Sequence, residues 1–230
     1  MSLPQIVNRR RGYLLCRTIK LPIDREVMSP TIERSVEKSK YEKNEERACL
    51  ALCQPEETIL ELGGGLGYIS ASLRKNSRAA RIVVCEANPA LIPYMERVYG
   101  LNDLKGIELR HCVALPTRSE SLAPFYIRED MWASSLDENV APYVRSILVP
   151  TISWAHLLDE VRPTALVIDI EGGEVDILPL DLGPIRRIVV ELHPTYYGQV
   201  KEREIIDGLI GRGFRVREDL SHRTVWALER

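Results

Sequence analysis

The sequence lacks the features that mark membrane proteins, secreted proteins and nucleic-acid-binding proteins. No stretch of its 230 residues approaches the ~20 consecutive apolar residues that span a bilayer. Lysine and arginine number 31 against 33 acidic residues, so the formal net charge is −2 and no basic excess is available for a nucleic acid. The start of the chain has no apolar segment of the signal-peptide kind. We therefore expect a cytoplasmic protein whose partners include neither a membrane nor a nucleic acid.

Cysteine is scarce, and its spacing matches no zinc ribbon. The odd number of cysteines also argues against a disulfide framework. The apolar fraction of 45% is enough for one α/β domain with a full core. Buried, reduced thiols are expected for the five cysteines, which are Cys16, Cys49, Cys53, Cys85 and Cys112.

Two common nucleotide-binding motifs are also absent. A dinucleotide fingerprint requires G-x-G-x-x-G, but the third glycine of that pattern is replaced by Tyr68 or Ser70, depending on where the pattern starts. No Lys-Ser or Lys-Thr follows a glycine in this region, which excludes a phosphate loop. An NAD-type oxidoreductase is therefore only an alternative function, as is a non-catalytic nucleotide-binding protein.

What the chain does contain is a glycine-rich turn between a predicted strand and a predicted helix, in the run 59–70. An acidic residue, Glu61, lies near the end of the strand, and Gly63, Gly65 and Gly67 follow it. Glycine lets a ligand lie against bare backbone, and the helix N-terminus beyond the turn presents free N–H groups. The alternative is an ordinary tight turn, which needs fewer glycines than this one has. We interpret the four residues as cofactor-binding.

A second acidic residue ends the next predicted strand. Glu86 lies 19 residues after Gly67 and is followed by Ala87, Asn88 and Pro89. An acid in this position accepts hydrogen bonds from the ribose hydroxyls of a bound nucleoside. We assign Glu86 and Ala87 to the cofactor site and expect Asn88 to cap the following helix.

Predicted strands and helices alternate along the chain, which indicates an α/β fold with a doubly wound, mostly parallel sheet. We expect an N-terminal extension over residues 1–40 and one domain over 41–230, with a β-rich insertion at about 115–150 and an antiparallel C-terminal hairpin. The predicted strands are 58–62, 82–85, 107–113, 165–170, 188–192, 214–216 and 224–228, and the predicted helices are 42–53, 68–75, 90–99, 153–160, 175–178 and 201–210.

Three later segments, together with the glycine loop and the run 149–158, resemble the FkbM family of S-adenosylmethionine-dependent methyltransferases. They are Trp132-Ala-Ser-Ser-Leu136, Asp169-Ile-Glu-Gly-Gly-Glu174 and Val190-Glu-Leu-His193. The resemblance extends from about Tyr41 to the C-terminus. It implies a Rossmann-like class I methyltransferase fold, S-adenosylmethionine as the methyl donor, and a hydroxyl of a small metabolite, sugar or natural product as the acceptor. The family's loop usually reads D-V-G-A-N-x-G, whereas this chain has Glu61 and two glycines in place of Asp and Ala-Asn.

The later segments supply the candidate catalytic residues, because each follows a predicted parallel strand at the edge where ligands bind. Asp169, Glu171 and His193 are predicted to be catalytic, with His193 as a base because its ordinary pKa of about 6.5 suits proton abstraction. Asp169, Glu171, Glu191 and His193 also offer oxygen and imidazole ligands for a divalent cation such as Mg²⁺ or Mn²⁺. Both roles stay open at this point.

A Tyr-Glu pair precedes the first helix of the predicted domain, as is frequent in the family. Tyr41 and Glu42 are expected to cover the cofactor's amino-acid end, and the alternative is a charge effect at the helix N-terminus. We expect the insertion to shape the pocket for a small-molecule acceptor. A homo-oligomer is left open.

Overall fold

The computed structural model describes residues 12–117, 121–130 and 133–230; Trp132, part of the family resemblance, lies outside these ranges. The strands are β1 (Tyr13–Cys16), β2 (Ile19–Pro22), β3 (Thr58–Leu62), β4 (Arg81–Glu86), β5 (Ile107–His111), β6 (Val113–Leu115), β7 (Leu122–Ile127), β8 (Arg145–Ser153), β9 (Ala165–Ile168), β10 (Arg187–Glu191), β11 (Arg215–Val216) and β12 (Val225–Glu229). The helices are α1 (Pro30–Glu37), α2 (Lys43–Leu52), α3 (Tyr68–Asn76), α4 (Ile92–Leu101), α5 (Trp154–Val161), α6 (Glu174–Ile177) and α7 (Pro194–Gly211).

The central sheet confirms the predicted doubly wound architecture. In the described part of the chain its strand order is β11-β12-β10-β9-β3-β4-β5. β3, β4, β5, β9 and β10 are parallel, and β12 is antiparallel to both of its neighbours. From β3 the chain first winds outward to β4 and β5, then returns to β9 and β10 on the other side. The strand order therefore reverses between β3 and β9, and a ligand crevice is expected at the carboxyl ends of these two strands.

The inner strands form where continuous apolar runs are buried on both faces of the sheet. All four residues of β9 are buried, and so are the last four of β3 and the last five of β4. Two apolar clusters lie on the two sides of the sheet, one including Ile59 and Val84 and the other including Leu60 and Val83. Because neighbouring residues point to opposite faces, each strand contributes to both clusters.

Two of the predicted boundaries that differ from the structure have a local physical reason. Helix α4 begins at Ile92 rather than Ala90, because Asn88 caps a preceding turn instead: its side-chain oxygen accepts a hydrogen bond from the Ala90 N–H at 3.1 Å. The predicted strand 107–113 is divided at Cys112. The Cys112 N–H still donates to the Glu86 carbonyl, but Val113 already pairs with β8 in another sheet.

The insertion forms a small sheet of its own, with the order β6-β8-β7. β6 pairs with β8 in parallel, and β7 pairs with β8 antiparallel. Phe125, Ile127 and Val149 form its small apolar cluster, against which Ala87 and Val113 pack. The insertion is thus attached to the main domain beside the end of β4.

Residues 12–40 pack against the central domain. β1 and β2 form an antiparallel hairpin, and Leu14, Ile19 and Leu21 are buried in the same cluster as Tyr94 and Val98 of α4. The Lys20 N–H donates to the Asn102 side chain at 2.9 Å, and the Tyr94 hydroxyl donates to the Pro22 carbonyl at 2.8 Å.

Arg17, at the turn of this hairpin, holds the segment that leads into α2. Its guanidinium donates to the carbonyls of Ser39 at 2.8 Å and Tyr41 at 2.7 Å, and it forms an ion pair with Glu46. Glu46 is buried and also accepts a hydrogen bond from the Tyr68 hydroxyl at 2.7 Å. The hairpin thereby fixes the position of the Tyr41–Glu42 pair.

Replacing Arg17 by methionine is expected to lower the free energy of unfolding by on the order of 3 kcal/mol, because Glu46 loses its ion-pair partner while it is still buried. Urea denaturation followed by circular dichroism would measure the loss. Arg25→Met is the matched control: Arg25 is exposed, so its replacement should change the stability by less than about 0.5 kcal/mol. Equal midpoints for the two variants would contradict this role of Arg17.

All five cysteines are free thiols, as predicted. Four are buried, and Cys112 is half-buried. None of the helices in the described ranges has the length and apolarity needed to span a membrane.

Candidate active site

A large cavity lies at the point where the strand order reverses. Its volume is about 960 Å³, and it is lined by the glycine loop after β3, the ends of β4, β9 and β10, and parts of α1, α6 and the insertion. The insertion contributes an apolar wall that includes Val113, Leu115, Phe125 and Leu136. Cavities of this size bury most of a small ligand, and this one extends from the glycine loop to the insertion.

Most glycines of the loop are needed for close packing. A Cβ added to Gly63 would lie 1.8 Å from the backbone oxygen of Asp169, and one added to Gly64 would lie 2.4 Å from the end of the Met95 side chain. Gly67 likewise faces Met95 and Tyr99 at 3.2–3.3 Å. These glycines let the loop approach the neighbouring strand and α4.

Gly65 is different, because the position where a Cβ would point is open. The nearest atom to such a Cβ is the Tyr41 hydroxyl oxygen at 3.9 Å. The Gly65 backbone has φ +51°, and its N–H donates to the Glu86 carboxylate at 2.9 Å. Gly65 therefore leaves bare backbone facing the cavity.

Glu86 is buried beside this loop. One carboxylate oxygen accepts from Gly65 and the other accepts from the Asn88 N–H at 2.7 Å. Burial raises the pKa of Glu86, and the backbone hydrogen bonds oppose this shift. The N–H groups of Gly64 and Ala87 also interact with this carboxylate. Its two oxygens offer about four lone-pair sites, so a ligand donor would share these sites with the backbone. The next residue, Ala87, also lines the cavity, and the His111 ring donates to its carbonyl at 3.1 Å.

Glu61 has an unsatisfied oxygen. Its side chain is only 2% exposed and lines the cavity, and one carboxylate oxygen is buried with no hydrogen-bond partner. Burial raises the pKa of Glu61 to about 8, although a hydrogen bond with Ser70 opposes the shift. An uncompensated buried oxygen is costly, which makes a ligand donor at this position favourable.

Tyr41 and Glu42 form the wall opposite Gly65. Both line the cavity, and the Tyr41 ring packs edge-on against Tyr68 with 5.7 Å between ring centroids. Burial raises the pKa of Glu42 well above its usual range, with the charge of Asp169 adding to the effect. The predicted pair thus lies in the same cavity as the glycine loop.

The second group of predicted residues meets at the ends of β9 and β10. His193 Nε2 lies 3.5 Å from Asp169 Oδ1 and 3.6 Å from Glu171 Oε2. On the other side of the ring, Nδ1 donates to the Glu174 carboxylate at 2.6 Å. Glu174 is fully buried, so it fixes the ring and directs Nε2 toward the two cavity acids.

Glu174 was not among the residues predicted for the site. It is the last acid of the Asp169–Glu174 segment, but its position at the start of α6, behind His193, depends on the tertiary fold. The signal in the sequence is an acid that follows two glycines in a short, acid-rich turn. That signal alone does not show that the residue contacts a histidine 19 positions later.

The pKa of His193 differs from the expected near-neutral value. Burial lowers the pKa of this imidazole, but the hydrogen bond to Glu174 and the charges of Asp169 and Glu171 outweigh burial and raise it to about 9. In the ligand-free protein His193 is therefore protonated at neutral pH. The pKa of Asp169 is raised well above its usual range, chiefly by burial and then by the charge of Glu191. Because a protonated imidazole cannot accept a proton, a carboxylate is the proton acceptor left in this cluster.

Two tyrosines of α7 complete this part of the cavity. The Tyr196 ring stacks on His193, with 5.7 Å between ring centroids, and the Tyr196 hydroxyl donates to the Glu171 carboxylate. The Tyr197 hydroxyl accepts from the His193 N–H at 2.7 Å. Together they hold the imidazole and Glu171 in place.

Most of the ionisable side chains that line the cavity are acidic. In the described ranges no lysine or arginine lines it, and His193 is its one basic side chain. The raised pKa values of Glu42, Glu61 and Asp169 mean that their charged forms are disfavoured while no counter-charge is present. Such a wall therefore favours a bound cation and repels an anion. The acids that line it are Glu42, Glu45, Glu61, Glu86, Asp137, Asp169, Glu171, Asp176 and Glu191.

The sheet order, the glycine loop and the acids at the strand ends define a Rossmann-like class I methyltransferase. Comparison with known families makes the assignment specific: the Methyltransferase FkbM domain matches residues 61–216. The chain belongs to the FkbM methyltransferase family and is a methyltransferase. The family implies S-adenosylmethionine as the methyl donor. The family match therefore favours a methyltransferase over the NAD-type oxidoreductase that the sequence left as an alternative.

Several solved structures resemble this chain at low identity. Precorrin-6y C5,15-methyltransferase from Geobacter metallireducens is 12% identical, with 90% of this chain and 91% of that chain covered and a TM-score of 0.48. Ribosomal protein L11 methylase from Lactobacillus delbrueckii is 13% identical, with 81% and 76% covered and a TM-score of 0.48. M. jannaschii TYW2 in complex with AdoMet is 14% identical, with 91% and 78% covered and a TM-score of 0.41. No match to a curated protein was found.

Proposed function

We propose that this methyltransferase transfers the methyl group of S-adenosylmethionine to a hydroxyl of a small molecule. The observation that carries the proposal is one continuous cavity, lined by the glycine loop at one side and by Asp169, Glu171 and His193 at the other. A donor and an acceptor would therefore share one cavity. Holding two reactants in line can lower the barrier by roughly 7–11 kcal/mol.

The cavity fits the donor on three observations of the structure. Gly65 leaves open backbone, Glu61 has a buried oxygen without a partner, and the acidic wall suits a ligand with a positively charged sulfur. S-adenosylmethionine supplies an activated methyl group on that sulfur. In this proposal Glu86 accepts hydrogen bonds from the ribose hydroxyls, Ala87 lies beside them, and Glu61, Tyr41 and Glu42 bind the amino-acid end with Gly63, Gly65 and Gly67.

The remaining residues act on the acceptor. Asp169, Glu171 and His193 orient its hydroxyl, and a carboxylate accepts the proton that the oxygen loses as its new bond to carbon forms. The imidazolium of His193 stabilises the negative charge of the neighbouring carboxylates. The apolar wall of the insertion, including Phe125 and Leu136, contacts the carbon skeleton of the acceptor.

A small, uncharged or cationic acceptor suits this cavity better than a nucleic acid. A phosphate group would meet several carboxylates and, in the described ranges, no lysine or arginine of the lining. Free thiols at all five cysteines support the cytoplasm as the expected location. The acceptor class is tested by offering the protein uncharged and phosphorylated acceptors of equal size together with S-adenosylmethionine.

The cofactor site is tested by calorimetry with S-adenosylhomocysteine. Glu86→Gln is expected to weaken binding at least about tenfold, because a hydrogen bond to a charged group contributes roughly 1.5–3 kcal/mol. Glu108→Gln is the matched control, since Glu108 lies on the neighbouring strand β5 and pairs with Arg81 outside the cavity. Equal affinities for the two variants, with both folded by circular dichroism, would refute the assignment of Glu86. A wild-type protein that does not bind S-adenosylhomocysteine would refute the proposed function.

A further inference from the structure

Three side chains at the ends of β9 and β10 have the arrangement of a metal-binding site. Asp169, Glu191 and His193 each offer one ligand atom, and these three atoms all lie within 4.8 Å of one another. The arrangement follows from the sheet: Ile168 pairs with Val190 in the parallel register. Asp169 and Glu191, the next residue on each strand, are therefore level with each other. His193 is two residues beyond Glu191.

The second observation is the way His193 is held. Metal-binding histidines usually donate their other ring N–H to a carboxylate, which fixes the tautomer and the direction of the ligand nitrogen. Here the fully buried Glu174 accepts from Nδ1 at 2.6 Å, so Nε2 is the nitrogen that faces Asp169. Glu174 itself does not line the cavity. Its contact with His193 is that of a residue that orients a ligand.

The third observation is a carboxylate oxygen without a donor. Asp169 Oδ1 has no hydrogen-bond donor within bonding distance, and its nearest charged neighbour is His193 Nε2 at 3.5 Å. The Asp169 side chain as a whole is 41% exposed, so an ion can reach it from the cavity. The neighbouring acid Glu171 differs, since Tyr196 hydrogen-bonds its carboxylate. Asp169 therefore has a free ligand position at the centre of the cluster, whereas Glu171 lies beside it.

We propose that Asp169, Glu191 and His193 bind a divalent cation, which holds an acceptor with two adjacent oxygen donors. This inference rests on the proposed function of the cavity. One imidazole and two carboxylates suit Mn²⁺ better than Mg²⁺, which prefers oxygen ligands and keeps its waters. Three protein ligands leave about three positions of an octahedral ion open. Two neighbouring hydroxyls of one acceptor can occupy two of them, so the predicted acceptor class is a vicinal diol.

In this arrangement the acceptor oxygen is bound to the ion, and Glu171 is the carboxylate left to accept the hydroxyl proton. The new oxygen–carbon bond forms as the sulfur–carbon bond of the donor breaks. The products are a methyl ether, S-adenosylhomocysteine and a proton on Glu171. Binding of the ion displaces the Nε2 proton of His193 to solvent, since only the neutral imidazole is a ligand. Asp169 and His193 then act on the hydroxyl through the ion.

The proposal is tested by titrating EDTA-treated, dialysed protein with Mn²⁺ and following free Mn²⁺ by electron paramagnetic resonance. One saturable site is expected in the wild type. Asp169→Asn and Glu191→Gln should weaken it at least about tenfold, and Glu174→Gln should weaken it about 10–100-fold through the orientation of His193. Asp176→Asn is the matched control, because Asp176 is an exposed acid of the same cavity outside the cluster. Its Mn²⁺ affinity should equal that of the wild type.

The absence of saturable Mn²⁺ binding would overturn the proposal, as would equal affinities in the cluster variants and Asp176→Asn. If Asp169→Asn does not fold, Glu191→Gln and Glu174→Gln decide the outcome. Calorimetry with S-adenosylhomocysteine in EDTA separates this inference from the proposed function. Cofactor binding without Mn²⁺ binding would overturn the metal site alone, whereas a wild-type protein that does not bind the cofactor would refute the proposed function.

Comparing catechol with phenol as acceptors tests the diol class. The proposal expects methylation of catechol that depends on Mn²⁺, and equal methylation of phenol would contradict it.

Discussion

Replacing His193 by alanine is expected to lower the rate of methyl transfer about 10²–10⁴-fold, the usual effect of losing a positioned catalytic group. His193 lies between Glu174 and the two cavity acids Asp169 and Glu171, at 2.6–3.6 Å from each. Its removal leaves those carboxylates without the basic side chain that contacts all three of them. The rate is measured with labelled S-adenosylmethionine and the best small hydroxylated acceptor found for the wild type.

The affinity for S-adenosylhomocysteine should change by less than about threefold in the same variant, since the glycine loop and Glu86 are untouched. A combined loss of rate and cofactor affinity would contradict a role limited to the acceptor. His222→Ala is the matched control, because His222 does not line the cavity and its backbone pairs with Val225. This control should retain the wild-type rate.

Much of the sheet could be predicted because its inner strands are short apolar runs with charged or polar residues at their ends. The strand 58–62 has the same bounds in the structure, and the strands predicted at 82–85 and 188–192 differ by one residue at each end or less. Ser153, the first residue of the predicted helix 153–160, is the N-cap of α5 and accepts from the His156 N–H at 3.3 Å. In each case the signal is local, so one segment of sequence is sufficient to show it.

The features that could not be predicted depend on contacts between distant segments. The pKa of His193 is set by Asp169 and Glu171, which follow β9, and by Glu174, which begins α6. The role of Arg17 depends on carbonyls more than 20 residues away. Helix α7 begins seven residues before the predicted start, with a non-helical backbone at Gly198, and the mixed residues 194–200 have no helical pattern that would indicate it.

The candidate site was predicted as a set of residues, and the structure shows what each position permits. Acids and histidines at parallel strand ends converge on one edge of the sheet, and on this ground the sequence predicts six site residues: Glu61, Glu86, Asp169, Glu171, Glu191 and His193. All six line one cavity in the structure. Their individual roles stay predictions, because a strand end fixes the location of a side chain and leaves its partners open. Glu86 illustrates this, since both of its oxygens already bond backbone N–H groups.

The second large expected effect concerns the glycine loop. Two of its glycines have different roles: Gly63 permits close packing, and Gly65 leaves space for a ligand. Gly63→Ala is expected to lower the free energy of unfolding by about 4 kcal/mol or more. The added Cβ would lie 1.8 Å from the Asp169 carbonyl oxygen, and the backbone φ of +84° is unfavourable for alanine. Thermal and urea denaturation would measure the loss, and an insoluble variant would agree with it. Stability close to that of the wild type would contradict the packing role of Gly63.

Gly65→Ala should instead fold and lose cofactor affinity. Its Cβ meets open space, so the expected cost in stability is only the roughly 1–2 kcal/mol of a left-handed backbone. The same Cβ would occupy the surface against which the cofactor is proposed to lie. The affinity for S-adenosylhomocysteine should therefore fall at least about tenfold, a change of about 1.4 kcal/mol. Gly213→Ala is the matched control, since Gly213 also has a positive φ and open surroundings but does not line the cavity. If both variants bound S-adenosylhomocysteine equally well, the cofactor could not lie against Gly65.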